Sequence, residues 1–182
     1  MTTQERILTP QGLWVDFRQG ARTGRDLPPY REIAPGMVVG HEPGKGAVCA
    51  TRHDDAGRRI IIDVETVGTS RWLTFEYELD HRMLLDTGLA MWAATMSSTP
   101  RTAYRLDLRM WLGDDGTFAD FVVGHGVTHA VERRLREMFL VEGIPQETIE
   151  RCTGTRFIQV LPLSPASFSV ASILSFPWSR QG

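Results

Sequence analysis

The stretch "SRWLTFEYELD", residues 70–80, alternates apolar and polar side chains almost without a break. One side carries Leu73, Phe75, Tyr77 and Leu79. The other side carries Trp72, Thr74, Glu76 and Glu78. A period of two is that of a β-strand with one face on a core and the other towards solvent. The stretch therefore predicts an antiparallel strand, with a tryptophan in its outward row of polar residues.

The same period recurs along much of the chain. It is clear in "RRIIIDVET" (58–66), and "RTAYRLDLRMWLGDDGTFADF" (101–121) predicts a hairpin that turns at "GDDG". Two more strands close the chain, "RFIQVLPLS" (156–164) and "SFSVASILSF" (167–176). Many short strands separated by turn signals indicate a mainly β fold, an antiparallel two-sheet sandwich resembling a jelly roll.

One segment breaks this pattern. In "THAVERRLREMFLVEG" (128–143), apolar residues recur at the spacing of a helix face, with Thr128 available as N-cap and Gly143 as a stop signal. These apolar residues are Val131, Leu135, Met138 and Phe139. We therefore predict one amphipathic helix over about residues 128–142, laid on a sheet. The following "PQETIER" (145–151) predicts a short additional turn of helix.

The length of 182 residues suits one domain with a core of its own. Gly and Pro are dense in residues 20–57, which indicates turns between short strands or an extended arm. The predicted organisation is a single domain, 1–182. In it, residues 1–57 form a Gly/Pro-rich arm with short strands, packed on a sandwich made of about residues 58–178.

The composition excludes some partners. A formal net charge of -2 provides no field that would attract nucleic acid or an anionic membrane. The N-terminal stretch shows no basic segment followed by an apolar one, so we expect a cytoplasmic protein without a membrane partner. Cys49 and Cys152 are far apart and lack CxxC partners. We therefore expect reduced thiols rather than a disulfide framework or zinc knuckle.

The outward rows of three predicted strands combine tryptophan, arginine and carboxylates. They contain Asp63, Glu65, Trp72, Glu76, Glu78, Arg105, Asp107, Arg109 and Trp111. Sugar rings stack their C–H faces on indoles, and their hydroxyls pair with guanidinium forks and carboxylate oxygens. The candidate ligand site consists of stacking platforms Trp72 and Trp111, donors Arg105 and Arg109, and acceptors Glu76, Glu78 and Asp107. Cross-strand ion pairs that only stabilise the sheet are the structural alternative.

The strand sequence of "SRWLTFEYELD", "RTAYRLDLRMWLGDDGTFADF" and "RFIQVLPLSPASFSVASILSF" resembles the jelly-roll β-sandwich of carbohydrate-binding modules and lectin-like domains, over about residues 58–176. The resemblance implies a carbohydrate or polyol ligand and, in some members, a structural calcium. Secreted modules carry a signal peptide and usually adjoin a catalytic domain, and neither is evident here. An accessory role in intracellular glycan or exopolysaccharide synthesis is therefore expected.

Other functions were weighed against this one. "HGVTHAVE" presents His125, His129 and Glu132 at a spacing that suits metal ligands in a helix, but Gly124 and Gly126 argue against a helix there. A G-x-S-x-G nucleophile motif is absent, and a carboxylate pair on the polar face would serve glycoside hydrolysis only at a specific separation. Neighbouring strands could supply that separation, so binding is preferred and catalysis stays an alternative without a signature in the sequence. The alternatives are a protein-interaction or homodimer interface and a small enzyme acting on a sugar or nucleotide-sugar.

Overall fold

The computed structural model describes residues 6–8, 14–16, 24, 27–34, 36–53, 59–79, 89–113, 115–140 and 143–177. In chain order these form the strands β1 (Arg6–Leu8), β2 (Trp14–Asp16), β3 (Arg31–Ala34), β4 (Met37–His41), β5 (Val48–His53), β6 (Ile60–Thr66), β7 (Leu73–Leu79), β8 (Leu89–Thr99), β9 (Ala103–Leu112), β10 (Phe118–Val127) and β11 (Arg133–Leu140), the helix α1 (Gln146–Arg151), and the strands β12 (Cys152–Val160) and β13 (Ala166–Pro177).

Two antiparallel sheets contain most of the described strands. A six-stranded sheet has the order β10-β9-β12-β7-β4-β3, and a five-stranded sheet has the order β11-β8-β13-β6-β5. Strands β1 and β2 form a separate hairpin, with β1 against β13. The predicted antiparallel two-sheet sandwich is confirmed.

The apolar side chains that alternate along the strands pack together in the space between the two sheets. The inward apolar rows of β7 and β9 are buried, and Phe75 meets Phe168 of the opposite sheet edge to face, with ring centroids 4.9 Å apart. Trp92 is fully buried and contacts the rings of both Tyr77 and Tyr104. Each such large side chain contributes about 1.5–3 kcal/mol when it leaves water. The opposite rows of β7 and β9 are thereby turned outward.

The amphipathic helix predicted over residues 128–142 is wrong. Residues 133–140 are strand β11, paired with β8 so that Leu135 lies opposite Ala94. Arg, Leu, Glu and Met favour helices locally, but pairing with β8 supplies a full ladder of backbone hydrogen bonds, and tertiary context overrides weak propensities. The helix that the structure describes is α1, in the "PQETIER" segment.

The N-terminal third contributes directly to both sheets. Strands β3 and β4 join the six-stranded sheet, and β5 pairs with β6 in the five-stranded sheet. Both cysteines are free, with Cys49 buried and Cys152 half-buried. The described part of the chain has no helix with the length and apolarity that crossing a membrane requires.

Candidate functional site

The seven predicted ligand-binding residues share one surface, the outer face of the six-stranded sheet. Strand β12 lies between β7 and β9, so that Arg156 stands level with Glu78 on one side and Arg109 on the other. Trp72 immediately precedes β7, and Trp111 lies near the end of β9. Asp63 and Glu65 belong to β6 in the opposite sheet, so they do not share this face.

The two tryptophans stand at opposite ends of the outer face. Leu73, next to Trp72, is level with Leu161, whereas Trp111 is level with Gly154, seven positions away along β12. At 3.3 Å per residue this is a separation of roughly 23 Å along the strands. The indoles therefore mark two ends of an extended surface, named here the Trp72 end and the Trp111 end.

The Trp111 end combines aromatic rings with guanidinium groups. Phe118 of β10 lies directly opposite Trp111 and is 49% exposed. The Arg109 guanidinium lies 3.8 Å above the centre of the Phe118 ring, and the Arg156 guanidinium lies 5.3 Å from the centre of the Trp111 ring. Such cation–π contacts hold both the cation and the ring in place.

The Trp72 end has a second ring as well. Tyr30, in the turn before β3, contacts Trp72 with ring centroids 5.3 Å apart. Below Trp72 lies Gly40, where an added Cβ would come within 3.3 Å of the indole Cζ3 atom. Tyr30 is also the one described residue other than glycine with a positive φ, 55°. Because Gly40 has no side chain, the Trp72 indole can pack directly against the sheet at this position.

An ion pair fixes the backbone beside Trp72. The amide of Arg71 donates to Glu42 Oε2 at 2.8 Å, and the Arg71 guanidinium donates to Glu42 Oε1 at 2.9 Å. Hydrogen bonds from the Arg71 side chain are the main cause of a lowered pKa of Glu42. These hydrogen bonds fix the backbone where the chain enters β7.

Between the two ends lies a band of paired charges. Arg105 binds Asp107 at 2.7 Å, Arg109 binds Asp120 at 2.7 Å, and Arg156 binds Glu76 at 2.8 Å. Arg156 also lies 3.4 Å from Glu78. The hydrogen bond from Arg109 to Asp120 is the main cause of the raised pKa of Arg109.

The burial of the carboxylates changes the roles expected of them. Glu76 and Asp107 are only 4% and 3% exposed, and both already accept hydrogen bonds from arginines. They are placed to position guanidinium groups above them. Glu78 and Arg105, with side chains 44% and 48% exposed, are the charged groups of the predicted set that are most open to a ligand.

Four further residues of this face escaped sequence reasoning: Tyr30, Phe118, Asp120 and Arg156. Arg156 was missed because β12 is inserted between strands that are distant from it in sequence. Phe118 and Asp120 alternate on the returning strand of the predicted hairpin, so its register could have revealed them. The Nε of Arg156 is buried and has no partner among the described residues. It is an unsatisfied donor within this face.

The candidate metal ligands do not form a cluster. His125 lies on β10 opposite Arg105, the carbonyl of His129 accepts from the Ser98 amide, and Glu132 binds Arg59 at 2.7 Å. Across the described residues there is no group of three or more His, Cys, Asp or Glu side chains that could hold a metal ion. A structural calcium stays a prediction from the resemblance.

No protein-family model and no curated protein matches this sequence. Solved structures do match it. The CBM22-1 xylan-binding domain of Paenibacillus barcinonensis Xyn10C superposes with a TM-score of 0.51 at 6% identity, over 88% of this chain and 97% of that one. The family 11 carbohydrate-binding module of Clostridium thermocellum, in complex with a β-1,3-1,4-mixed-linked tetrasaccharide, gives 0.53 at 8% identity, over 87% and 98%.

A CBM4 structure gives a TM-score of 0.54 at 11% identity, over 85% of this chain and 95% of that one. The chain has the β-sandwich fold of carbohydrate-binding modules. At these identities the likeness establishes the fold alone. The predicted resemblance is confirmed at that level.

Proposed function

We propose that this chain is a non-catalytic carbohydrate-binding domain that takes a glycan of several sugar residues on the outer face of its six-stranded sheet. The observation that carries the proposal is the placement of aromatic rings at both ends of this face with arginines between them. Aromatic faces stack on the C–H patches of sugar rings, and guanidinium forks bind hydroxyl oxygens. The solved modules with this fold support a glycan as the ligand class.

The charge balance of the face favours a neutral glycan. Each of the three arginines is bound to a carboxylate, and the four acids Glu76, Glu78, Asp107 and Asp120 slightly outnumber them. An anionic polymer would have to displace these carboxylates or approach them. A neutral polyol can instead use the remaining N–H groups.

The same pairing favours binding over catalysis. General acid–base chemistry needs a carboxyl group within hydrogen-bonding reach of the substrate. Glu76 and Asp107 are buried, and their oxygens already accept hydrogen bonds, those of Asp107 from Arg105 and those of Glu76 from Arg156 and Thr74. These two carboxylates support the binding surface rather than offer a proton. The small-enzyme alternative is left with the exposed Glu78, which is bound to Arg156, and so has less support than binding.

The test is calorimetric titration with xylan, mixed-linked β-1,3-1,4-glucan and polygalacturonate. We expect the wild type to bind a neutral polymer and not the polyanion. Trp111→Ala should weaken that binding at least about ten-fold, because one stacking surface is lost. Leu163→Ala, a change at a loop residue that is 42% exposed, is the matched control and should bind like the wild type. No binding by the wild type, or equal binding by Trp111→Ala, would contradict the proposal.

A homodimer is the second candidate function of this face. Strand β10 is the outermost strand of its sheet and carries Phe118 and Val122, which are 49% and 59% exposed. Exposed apolar side chains on an outer strand suit a protein interface. Light scattering distinguishes the candidates, since a dimer that Phe118→Glu dissociates would support the interface, and a monomer would exclude it.

The cellular setting is a further part of the proposal. We propose cytoplasmic localisation and an accessory role in intracellular glycan or exopolysaccharide synthesis. Cell fractionation with an antibody against the chain tests the first. Recovery of the protein outside the cell would overturn both.

A further inference from the structure

Tyr30 has a backbone conformation that suits few residues. Its φ of 55° lies in the left-handed region, which a bulky L-residue occupies only at a cost. Pro29 precedes it within the same turn, and a Pro followed by a positive-φ residue is the order of a type II turn, where glycine is the usual choice. A tyrosine in this backbone conformation costs free energy, and residues with such strain cluster at functional sites.

The strain places the phenol ring over the outer face. Tyr30 is 55% exposed whereas Trp72 is half-buried, and the two rings meet at an interplanar angle of 39°, so the phenol is the more exposed member of the pair. Gly40 lies beneath the indole, and the Glu42–Arg71 pair fixes the residue before it. Trp72 is thus fixed by its contact with the sheet at Gly40 and by the ion pair of the preceding residue, and its indole contacts the Tyr30 ring.

The phenol group also approaches the charged band. Burial raises the pKa of Tyr30, the negative charge of Glu76 raises it further, and the positive charge of Arg109 opposes this rise. Glu76 is on β7 and Arg109 is on β9, two strands away across the sheet. The contact between the Tyr30 and Trp72 rings places the phenol at the outer face of the sheet, beside its edge strand, β3.

From this arrangement we infer that Tyr30 is the residue on which the glycan stacks at the Trp72 end, with Trp72 supporting the Tyr30 ring by contact. The inference rests on the proposed function and deepens it. It transfers the role expected of Trp72 to a residue in the turn before β3. Exposure favours this assignment, because Tyr30 is 55% exposed whereas Trp72 is half-buried.

Tyr30→Gly separates a binding role from a structural one. Glycine adopts a positive φ without strain, so the variant should fold with a Tm equal to or above that of the wild type. It removes the outer ring, and its affinity for xylan or mixed-linked β-1,3-1,4-glucan should fall about ten-fold. Tyr30→Phe keeps the ring and should remain within about three-fold of the wild type. Leu163→Ala again serves as the surface control.

The outcomes are distinguishable. If the wild type binds a polymer and Tyr30→Gly binds it equally well, the inference is overturned and the proposed function stands. If Tyr30→Gly lowers the Tm and leaves affinity unchanged, the ring is structural and the inference also fails. If the wild type binds none of these polymers, the proposed function and the inference fail together.

Discussion

The two sheets present outer faces of different chemistry although both arise from the same alternation. The five-stranded sheet turns small hydroxyl side chains outward from β8 and β13, namely Thr95, Ser97, Thr99, Ser167 and Ser169. The six-stranded sheet turns outward four aromatic rings, counting Tyr30 and Trp72 beside it, and three arginines bound to acids. The alternation therefore shows which residues face outward on each sheet. The types of those residues show which of the two outer faces is the candidate site.

We expect the largest loss of unfolding free energy when Glu76, a buried acid of the six-stranded sheet, is removed. Glu76→Ala leaves the Arg156 guanidinium without its 2.8 Å partner and removes the acceptor of Thr74 Oγ1. Breaking one side of a largely buried ion pair costs about 2–3 kcal/mol of unfolding free energy, at the lower end because Arg156 keeps Glu78. Urea denaturation measures this, and glycan affinity should fall with it.

Asp63→Ala is the matched change on the five-stranded sheet. Its partners are Arg52, which is 61% exposed, and the Ser167 hydroxyl, which donates at 2.6 Å, so the loss should be about 1–1.5 kcal/mol, below that of Glu76→Ala. Equal losses for Glu76→Ala and Asp63→Ala would show that the two faces are energetically alike, contrary to the comparison.

A smaller effect is expected from a methyl group under the Trp72 end. In Gly40→Ala the new Cβ would lie 2.6 Å from Thr74 Oγ1 and 3.3 Å from Trp72 Cζ3, so both side chains must move. Overpacking of this kind costs about 1–3 kcal/mol. We expect a lower Tm and weaker glycan binding. Gly143→Ala, where an added Cβ meets nothing within 4 Å, should change neither, and a Gly40→Ala protein identical to it would refute this packing.

The smallest effect concerns the thiols, one on each sheet. Burial raises the pKa of Cys49 on β5 to about 11, and the half-buried Cys152 at the start of β12 has a pKa raised less far. Because the thiolate is the reactive form, Ellman's reagent at about pH 8 should label Cys152 first in the native protein. Cys152→Ser should leave a native protein that does not react and a denatured one with one reactive thiol. Rapid native labelling of that variant would contradict the burial of Cys49.

The sandwich was predictable because period two is a local signal. Residues of β7 and β9 show it plainly, and their inward rows are buried as expected. Strand β11 lacked it, since Val131, Leu135, Met138 and Phe139 mimic a helix face. Only the ladder with β8, which no local pattern reveals, decides that segment.

The site was predictable in part, for the same reason. Alternation placed Trp72, Arg109 and Trp111 outward, and the register brings them to one face. It could not show that β12 would insert Arg156 among them, or that Tyr30 would arrive from a turn outside the strand pattern. It also could not show that Glu76 is buried, because burial depends on which long side chains cross the sheet.

The distance between the two aromatic ends has a consequence for which ligands the protein can tell apart. Under the proposed function, a sugar at one end would gain one contact, whereas a chain that also reaches the other end, whose backbone lies roughly 23 Å away along the strands, would gain the second without a second encounter. Affinity should then rise sharply at a threshold number of sugar units rather than in even steps. Such a surface would select polymers over their breakdown products.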